Sequence, residues 1–589
     1  MAKSQLTFPD YLSQDTEFKK YGRNDVAIFA LSMYLGIDEV DEFVSSSLTE
    51  HPSDKDIDIF YIDLSKGRAA IVQMYISNKF GNSAAPSKKA SDLNTACAWT
   101  FSADETTIPN KIRPKAIELR NAIINDEIER IDFLYVHNCK ESVNVENELK
   151  TVTDGARDKI IALTGRKPHK IQLVYKEIGI KAIEDLYRAT DKEILVEDVL
   201  SLPKGDFIKE KGDDWQAIQL TIEGNWIREL YLNNGDNLFS ANYRDYLGSF
   251  KRKGNINYEI AKTAEKEPQS FWVYNNGITA LTNKIITNKK IQFHGLSIIN
   301  GAQTTGALAE ASEEKAKSIK VSLRVVECKN KEKVNKIIKY NNTQNEIKAF
   351  DKRSGDKTQK RLAKDFFEKY SINYVHRRKQ TRAPKNAITA HSVAPILCSF
   401  HGEPNIAHRH ATEIFLQDDI YKKVFNDIIK VEHIFLLKKL STAIDEYKKY
   451  LNDRVKEGEA TEDDKDQQEL LKYSASKTFI FYIIGRLAEV ILNRRVTNLY
   501  NWMAKTDLIS QDNTSIAKGW REVIQTILPH IVFVLKQKKD KDNITNPFYE
   551  VPRSFEHSKK VGDELKALLS SLLPTIGKQF DNIRKRTII

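Results

Sequence analysis

The sequence predicts a protein of three parts, namely an α/β domain over residues 1–200, a mixed α+β domain over 201–405 and an all-helical region over 406–589. In the first part, short apolar strand patterns alternate with segments of helical spacing, which is typical of α/β units. In the second part strands and helices are mixed, and beyond about residue 410 the spacing is helical almost throughout. A chain of 589 residues is also too long for a single core.

The elements of the first part follow from turn residues and periodicity. A helix should end at Gly36, because glycine accepts the left-handed backbone that closes helices. The other predicted elements are strands over 57–63 and 69–75 with a turn at 65–67, a helix over 90–101, a strand over 130–136, a helix over 146–162 and a strand over 170–174.

Two Asn-Gly segments dominate the second part. Phe271–Thr279 reads Phe-Trp-Val-Tyr-Asn-Asn-Gly-Ile-Thr, and the form strand, Asn-Gly, strand predicts a hairpin. Leu296–Thr305 ends in Asn-Gly-Ala-Gln-Thr-Thr, and good helix formers follow. We therefore expect this strand to pass through a tight turn into a helix N-terminus.

The third part should be helical throughout, with an exposed charged loop at 456–464. The predicted helices cover 412–424, 426–440, 474–496, 516–535 and 562–573.

The charge of the chain is concentrated in one segment. The net charge is +11, and residues 348–385 hold thirteen Lys or Arg against four acids. Such a segment, which includes Arg353, Arg377 and Arg378, is suited to nucleic-acid phosphates, with a solvated helix face as the alternative. Four scattered cysteines predict neither a disulfide framework nor a thiolate zinc site, and the chain shows no leader or membrane span, so we expect a cytoplasmic protein without a membrane partner.

Asp58 and Gln73 lie on the two strands of the predicted first hairpin. This pair resembles the core of the PD-(D/E)XK nucleases, in which an Asp and a Glu or Gln on adjacent strands bind a divalent metal such as Mg²⁺. The resemblance implies a catalytic lysine two residues after Gln73, where this chain has Tyr75. Lys79, or a lysine from 88–89, could replace it. A degenerate nuclease kept as a scaffold, an active nuclease and an unrelated fold all stay open.

The second Asn-Gly segment is a candidate phosphate site. Free N–H groups at a helix N-terminus favour an anion, and glycine lets the backbone approach it closely. A simple helix cap by Asn or Thr is the alternative. The candidate binding residues are Asn275, Asn276, Asn300, Gly301, Gln303, Thr304, Thr305 and Asn345.

Five segments in order resemble the bacterial AIPR proteins, whose name stands for abortive infection phage resistance. They are Asn242–Gly248, Phe271–Thr279, Ile299–Thr305, Tyr340–Asn345 and Tyr374–Arg378. The Ile299–Thr305 segment and the helix after it also resemble the strand, Asp-Gly-Gln-His-Arg, helix motif of ParB-like and DndB-like domains. Thr304-Thr305 stands here where those domains have His-Arg.

The AIPR resemblance implies an anti-phage protein, and we expect it to engage nucleic acid, DNA above all, with a degenerate nuclease domain. Two alternatives are an active Mg²⁺-dependent endonuclease using Asp58 and Gln73, and a nucleotide-gated sensor of the ParB kind. A phage or defence-system protein is a further candidate partner, and the sequence leaves a homo-oligomer open.

Overall fold

The structure is a computed structural model that describes most of the chain. The described residues are 7–37, 39–49, 54–81, 83–165, 171–189, 194–203, 205–242, 260, 263–342, 353, 355–376, 387–510, 513–542 and 544–589.

The N-terminal part is built on a four-stranded sheet with the order β1-β2-β3-β4. Its strands are β1 (Ile59–Asp63), β2 (Arg68–Tyr75), β3 (Arg130–His137) and β4 (Gln172–Ile178). β1 and β2 form an antiparallel hairpin, whereas β2, β3 and β4 are parallel. The helices of this part are α1 (Phe8–Gln14), α2 (Thr16–Lys19), α3 (Asp25–Leu35), α4 (Val40–Ser47), α5 (Ser87–Ser91), α6 (Leu93–Phe101), α7 (Arg113–Ile124), α8 (Val143–Leu163) and α9 (Ile180–Arg188).

Helices cover both faces of this sheet, because parallel strands need helical crossovers. Ile71 and Phe133 point to the core beside α6 and α8, whereas Val72 and Leu134 point to the core beside α3. The α/β class predicted for this part is confirmed, and α3 ends at Gly36, whose φ is 65°.

The central part is a sheet with the strand order β5-β10-β8-β11-β7-β6, and β9 pairs with β10. Its strands are β5 (Val196–Leu202), β6 (Phe207–Lys211), β7 (Trp215–Glu223), β8 (Ile278–Thr282), β9 (Lys284–Ile286), β10 (Ile291–Asn300) and β11 (Lys320–Cys328). The helices are α10 (Gly224–Asn234), α11 (Phe271–Tyr274), α12 (Ala302–Glu310), α13 (Glu313–Ser318) and α14 (Lys331–Asn342). The mixed α+β class predicted for this part is confirmed.

The hairpin predicted around Asn276-Gly277 is wrong. Only the second half is a strand, because Phe271–Tyr274 form the short helix α11. β8 is bonded to β10 on one side and to β11 on the other. Both edges of β8 are therefore occupied by strands that follow it in the chain, and no edge is left for a hairpin partner before Asn276.

The two faces of the central sheet are covered unequally. One face carries the apolar core, where Val321, Leu323 and Val325 of β11 pack with residues of α10 and α12. On the other face α14 packs through Val334 and Ile338 against a small apolar cluster. Polar side chains of β11 lie on this second face, where they can form a surface site.

The C-terminal part is helical, as predicted, apart from two short strand pairs. Its helices are α15 (Lys357–Tyr370), α16 (Ala390–Phe400), α17 (Pro404–Arg409), α18 (Glu413–Leu416), α19 (Asp418–Val424), α20 (Val431–Glu457), α21 (Glu462–Lys472), α22 (Ala475–Arg486), α23 (Ala488–Leu492), α24 (Ser515–Lys541), α25 (Pro547–Arg553), α26 (Phe555–Ile576) and α27 (Asp581–Arg586). The pairs are β12 (Tyr374–Val375) with β13 (Ile388–Thr389), and β14 (Met503–Ala504) with β15 (Thr587–Ile588). One apolar core joins these helices, from Leu362 to Ile583.

The helical part packs against the N-terminal domain through charged contacts. Arg553 on α25 donates to Glu127 at 2.9 Å, and Lys438 on α20 donates to Glu39 at 2.6 Å.

The domain boundaries at 200 and 405 stay predictions. Within the described ranges, no helix combines the length and the apolar character needed to cross a membrane.

Candidate functional sites

Asp58 and Gln73 meet at one end of the β1–β2 hairpin. The backbone N–H of Asp58 donates to the carbonyl of Val72, which extends the antiparallel ladder and puts Asp58 opposite Gln73. Gln73 Nε2 donates to Asp58 Oδ2 at 2.8 Å, and the N–H of Met74 donates to the same oxygen. The structure therefore brings together the two residues that the sequence pairs.

The surroundings raise the pKa of Asp58, so its carboxyl loses its proton at a higher pH than an exposed aspartate does. Burial raises the pKa of its carboxyl to about 6, against the hydrogen bond from Met74, and Asp54 and Asp56 add to the rise. Lys89 on α5 is the nearby cation. Partial burial opposes its charge, but Asp92, Asp56 and Asp58 together raise the pKa of Lys89. Its Nζ lies 3.2 Å from Asp92.

The lysine expected after Gln73 is absent, and Lys79 has an exposed side chain at the loop after β2. Tyr75, at the expected position, packs partly buried against the core on the α6 and α8 side. Lys89 comes from a helix and not from the strand, so spacing within the strand did not single it out. Of the candidate lysines, Lys89 is the one whose charge acts on Asp58.

The donor atoms at this site suit a hard divalent cation. Gln73 is buried, and its Oε1 has no hydrogen-bond partner, whereas the amide nitrogen of the same side chain is bonded. Amide and carboxylate oxygens are the ligands that Mg²⁺ takes in proteins. Within the described residues, those around Asp58 included, no group of three or more His, Cys, Asp or Glu is arranged to hold a metal.

The two Asn-Gly segments meet where α12 begins. Gly301 has a φ of 102°, and a Cβ built on it would lie 2.8 Å from Ile278 and 3.0 Å from the Gly277 carbonyl oxygen. A Cβ on Gly277 would lie 2.5 Å from the Ser322 carbonyl oxygen. The strand, turn and helix predicted for Leu296–Thr305 are thus present. We call this contact of Asn275–Thr279 with Asn300–Thr305, together with Arg324 and Asn341 beside it, the junction.

Hydrogen bonds tie the two segments together at the junction. Asn275 Nδ2 donates to Thr304 Oγ1 at 3.0 Å, and Asn275 Oδ1 accepts from the N–H of Gly277 at 2.8 Å. Thr305 Oγ1 donates to the Gly301 carbonyl at 3.0 Å. No described side chain caps α12, so the helix-cap interpretation is wrong and the N–H groups of its first turn stay without a side-chain acceptor.

A row of polar residues crosses the sheet at the junction. The registers align Asn300 on β10 with Thr279 on β8, and Thr279 with Arg324 on β11. Arg324 donates to Thr279 Oγ1 at 3.3 Å and to Asn341 Oδ1 on α14. Arg324 belongs to none of the sequence motifs and was not predicted as a site residue. Alternation of polar Lys320, Ser322 and Arg324 along β11 was the available signal.

Exposed aromatic residues stand beside this row. Trp272 is 50% exposed and Tyr274 66% exposed on α11, which packs against β11. Asn276 and Gln303 are exposed as well. The junction thus presents aromatic rings, amides and the guanidinium of Arg324 to solvent.

The structure describes only part of the basic segment, residues 348–385. Arg353 is already engaged within the chain, since it pairs with Asp418, donates to the Phe415 carbonyl at 2.9 Å and lies over the Tyr421 ring. On α15, Lys357, Lys360 and Lys364 are exposed. Asn345, Arg377 and Arg378 lie outside the described residues, as do most of the Asn242–Gly248 motif and part of Tyr340–Asn345.

Comparison with known proteins identifies a family for the central and following residues. A family model described as AIPR protein matches residues 239–531. It includes the junction, Arg324 and the basic segment, and it leaves the sheet that carries Asp58 outside. No curated protein and no solved structure matches the chain.

Proposed function

Because residues 239–531 place the chain in the AIPR family, we propose that it serves phage defence by binding nucleic acid at the junction. In this proposal the N-terminal domain is a degenerate nuclease that contributes structure and grip. Membership of the family supports a role in abortive-infection defence. The binding and the loss of catalysis are proposals that rest on the geometry of the two sites.

Arg324 carries the proposal of nucleic-acid binding. Its guanidinium lies at the surface between Thr279 and Asn341, and no carboxylate of a described residue is among its hydrogen-bond partners. A phosphate would therefore find an uncompensated cation there. Trp272 and Tyr274 offer faces for base stacking, the way in which single strands are bound without sequence preference.

The chemistry around Asp58 supports a degenerate nuclease. A metal-dependent nuclease needs a cation next to the scissile phosphate to stabilise the charge that develops there. Here Tyr75 stands at the position where the resemblance implies that lysine. Removal of one charge donor from a catalytic site costs on the order of 10²-fold in rate. Intrinsic cleavage should be slow or absent.

Binding titrations test the proposal. Fluorescence anisotropy with single-stranded DNA, duplex DNA and RNA of equal length, at several salt concentrations, gives affinity and salt slope. Arg324→Ala should weaken binding about tenfold and flatten the salt dependence. Lys209→Ala is the matched control, since Lys209 is an exposed cation on the edge strand of the same sheet. Equal affinity of wild type and Arg324→Ala would reject the site.

Displacement of the oligonucleotide by ATP in the same titration would favour the alternative function, a nucleotide-gated sensor.

The unpartnered Gln73 Oε1 favours a second candidate, an active Mg²⁺-dependent endonuclease. Asp58 and Gln73 would hold the ion, which would supply a Lewis acid and an activated water. Lys89 would stabilise charge on the phosphate in place of the missing lysine.

Cleavage of plasmid in Mg²⁺ or Mn²⁺ tests this candidate. Activity lost in both Asp58→Asn and Lys89→Met, and kept in Lys88→Met, would establish it. Lys88 is the exposed neighbour of Lys89 on the same helix. Absence of cleavage in wild type would leave the degenerate domain as the better account.

A further inference from the structure

A cavity of about 390 Å³ lies between the N-terminal domain and the helical part. On one side it is lined by α4, by the end of β1 with the turn after it, and by α7. On the other it is lined by α16, α20 and α22. It is distinct from the Asp58 site and from the junction, since it shares no lining residue with either.

Five lysines line this cavity, and three of them are paired closely with carboxylates, namely Lys66, Lys472 and Lys477. The other two are Lys115 and Lys448, one from each side. Lys115 on α7 is 6% exposed, and its nearest carboxylate oxygen, on Glu118, is 3.9 Å away, beyond hydrogen-bond distance. Glu118 is in turn bonded to Ser474 and Arg553. Lys448 on α20 has no ion pair or hydrogen bond to a described residue.

The carboxylates of the cavity are all committed to other cations. Glu39 pairs with Lys438 and Asp63 pairs with Lys66, whereas Glu42 and Asp445 share the single cation Lys477. Asp445 and Glu42 favour the charged form of Lys448, but burial and the charge of Lys115 outweigh them. Within the described residues neither Lys115 nor Lys448 has a carboxylate at hydrogen-bond distance. An ammonium group in a partly dehydrated site without a hydrogen-bonded anion is unfavourable, so this pair of lysines favours the binding of an anion.

The lowered pKa values of the two lysines are consistent with a site that favours an anion. Burial and then the charge of Lys115 lower the pKa of Lys448 to about 7, which shows that the two ammonium groups act on one another across the domain boundary. Burial lowers the pKa of Lys115 as well. An anion between them would relieve both effects.

The other residues that line the cavity indicate the chemistry of the rest of the ligand. Phe43, Tyr61, Ile396 and Phe481 line the cavity with apolar surface, and Ser45, Ser46 and Ser392 add hydroxyls. Ligand cavities have volumes of roughly 300–1,000 Å³, so this one admits a small organic molecule. We infer that the cavity binds a phosphate ester of mononucleotide size, with its phosphate between Lys115 and Lys448 and its apolar body against the aromatic wall.

Calorimetric titration and thermal melting of the full chain test this inference, with ADP, inorganic phosphate and adenosine as probes. ADP should bind and raise the melting temperature, phosphate should bind more weakly, and adenosine should bind weakest. Lys448→Met and Lys115→Met should each weaken ADP binding about tenfold or more, because each removes a charge-assisted contact. Without ligand, Lys448→Met should melt at or above the wild-type temperature, since a buried ammonium group without a hydrogen-bonded partner among the described residues is gone.

Lys449→Met is the matched control, since Lys449 is the exposed neighbour on the same helix. It should leave ADP binding unchanged. Absence of ADP binding at millimolar concentration, or equal binding by wild type and Lys448→Met, would overturn the inference. Oligonucleotide binding measured on the same variants keeps the two proposals separate, because Lys448→Met should not affect the junction.

Discussion

The Asp58 site and the junction differ in how far their polar groups are exposed to solvent. In the N-terminal sheet, Gln73 is 4% exposed and Asp58 accepts hydrogen bonds from inside the hairpin, so a charge there is held away from water. At the junction, Arg324 and Gln303 reach solvent, and the buried polar side chains are the hydroxyls of three threonines, namely Thr279, Thr304 and Thr305. Ionisation therefore costs stability at the first site, whereas the second offers charge to an external ligand with little cost to the fold.

The largest expected effect is on the packing of the junction. Gly301→Val places a branched Cβ in a left-handed backbone, 2.8 Å from Ile278 and 3.0 Å from a carbonyl oxygen. We expect a loss of about 3–4 kcal/mol of unfolding free energy, measured by thermal melting.

Gly306→Ala on α12 is the control for this change. A Cβ there meets nothing within 4 Å, so alanine should be tolerated or should stabilise by about 0.5–1 kcal/mol. A stable Gly301→Val protein would show that the two segments do not pack as described.

The second prediction concerns the buried carboxylate. The folded protein holds the proton of Asp58 more tightly than the unfolded chain, because burial raises the pKa from 3.8 to about 6. Stability from this group is therefore full below about pH 4 and falls as the pH rises through 6. Asp58→Asn keeps an acceptor for Gln73 and Met74, so above pH 6 it should be more stable than wild type by about 2–3 kcal/mol, and equal to it at low pH.

Asp63, at the other end of β1, has a pKa shift in the opposite direction and should therefore show the opposite pH dependence of stability. Burial opposes its ionisation, but Lys66 and hydrogen bonds from Ser65 and Tyr61 outweigh burial and lower the pKa to about 2. Asp63→Asn should therefore lower stability at neutral pH, and the loss should shrink as the pH falls through 4 towards 2. Melting curves between pH 3 and pH 8 compare the two variants. Destabilisation by Asp58→Asn at pH 8 would mean that the fold needs this carboxylate ionised.

Base stacking at the junction should have a smaller effect. Trp272→Ala should weaken single-stranded DNA binding by about 1–2 kcal/mol, while duplex DNA should be affected less, since its bases are already stacked. Phe533, an exposed aromatic residue of α24, supplies the control Phe533→Ala. Equal losses from both substitutions would count against a specific stacking surface.

The smallest expected effect comes from the bond between the two segments. Thr304→Ala removes the hydroxyl that bonds Asn275 and should cost about 1 kcal/mol, whereas Thr304→Ser keeps that hydroxyl and should cost less. Thermal melting of the two variants measures the difference. A cost that is the same for both would assign the effect to the lost methyl group.

Local signals predicted the elements that depend on neighbours in sequence. α3 ends at Gly36 and α12 follows Gly301, because in each case a glycine with positive φ fixes the chain direction within a few residues. The Asn276-Gly277 hairpin failed for the converse reason. β10 and β11 occupy both edges of β8, and that pairing depends on residues far along the chain.

The same limit applies to the sites. Asp58 and Gln73 could be paired from sequence because a hairpin joins them directly. Arg324 meets Thr279 through the parallel register of β8 and β11, across 45 residues. Lys89 reaches the Asp58 site from α5, and the two lysines of the cavity come from separate domains. Contacts of this kind follow from tertiary packing and leave no local pattern.

Amide hydrogen exchange with and without a single-stranded oligonucleotide tests the central claim most directly, because it follows both sites at once. The account predicts added protection in peptides that contain Phe271–Thr279 and Asn300–Thr305, and unchanged exchange in the hairpin from Ile57 to Tyr75. Protection confined to that hairpin, with the junction unchanged, would contradict the account and place nucleic acid on the N-terminal domain instead.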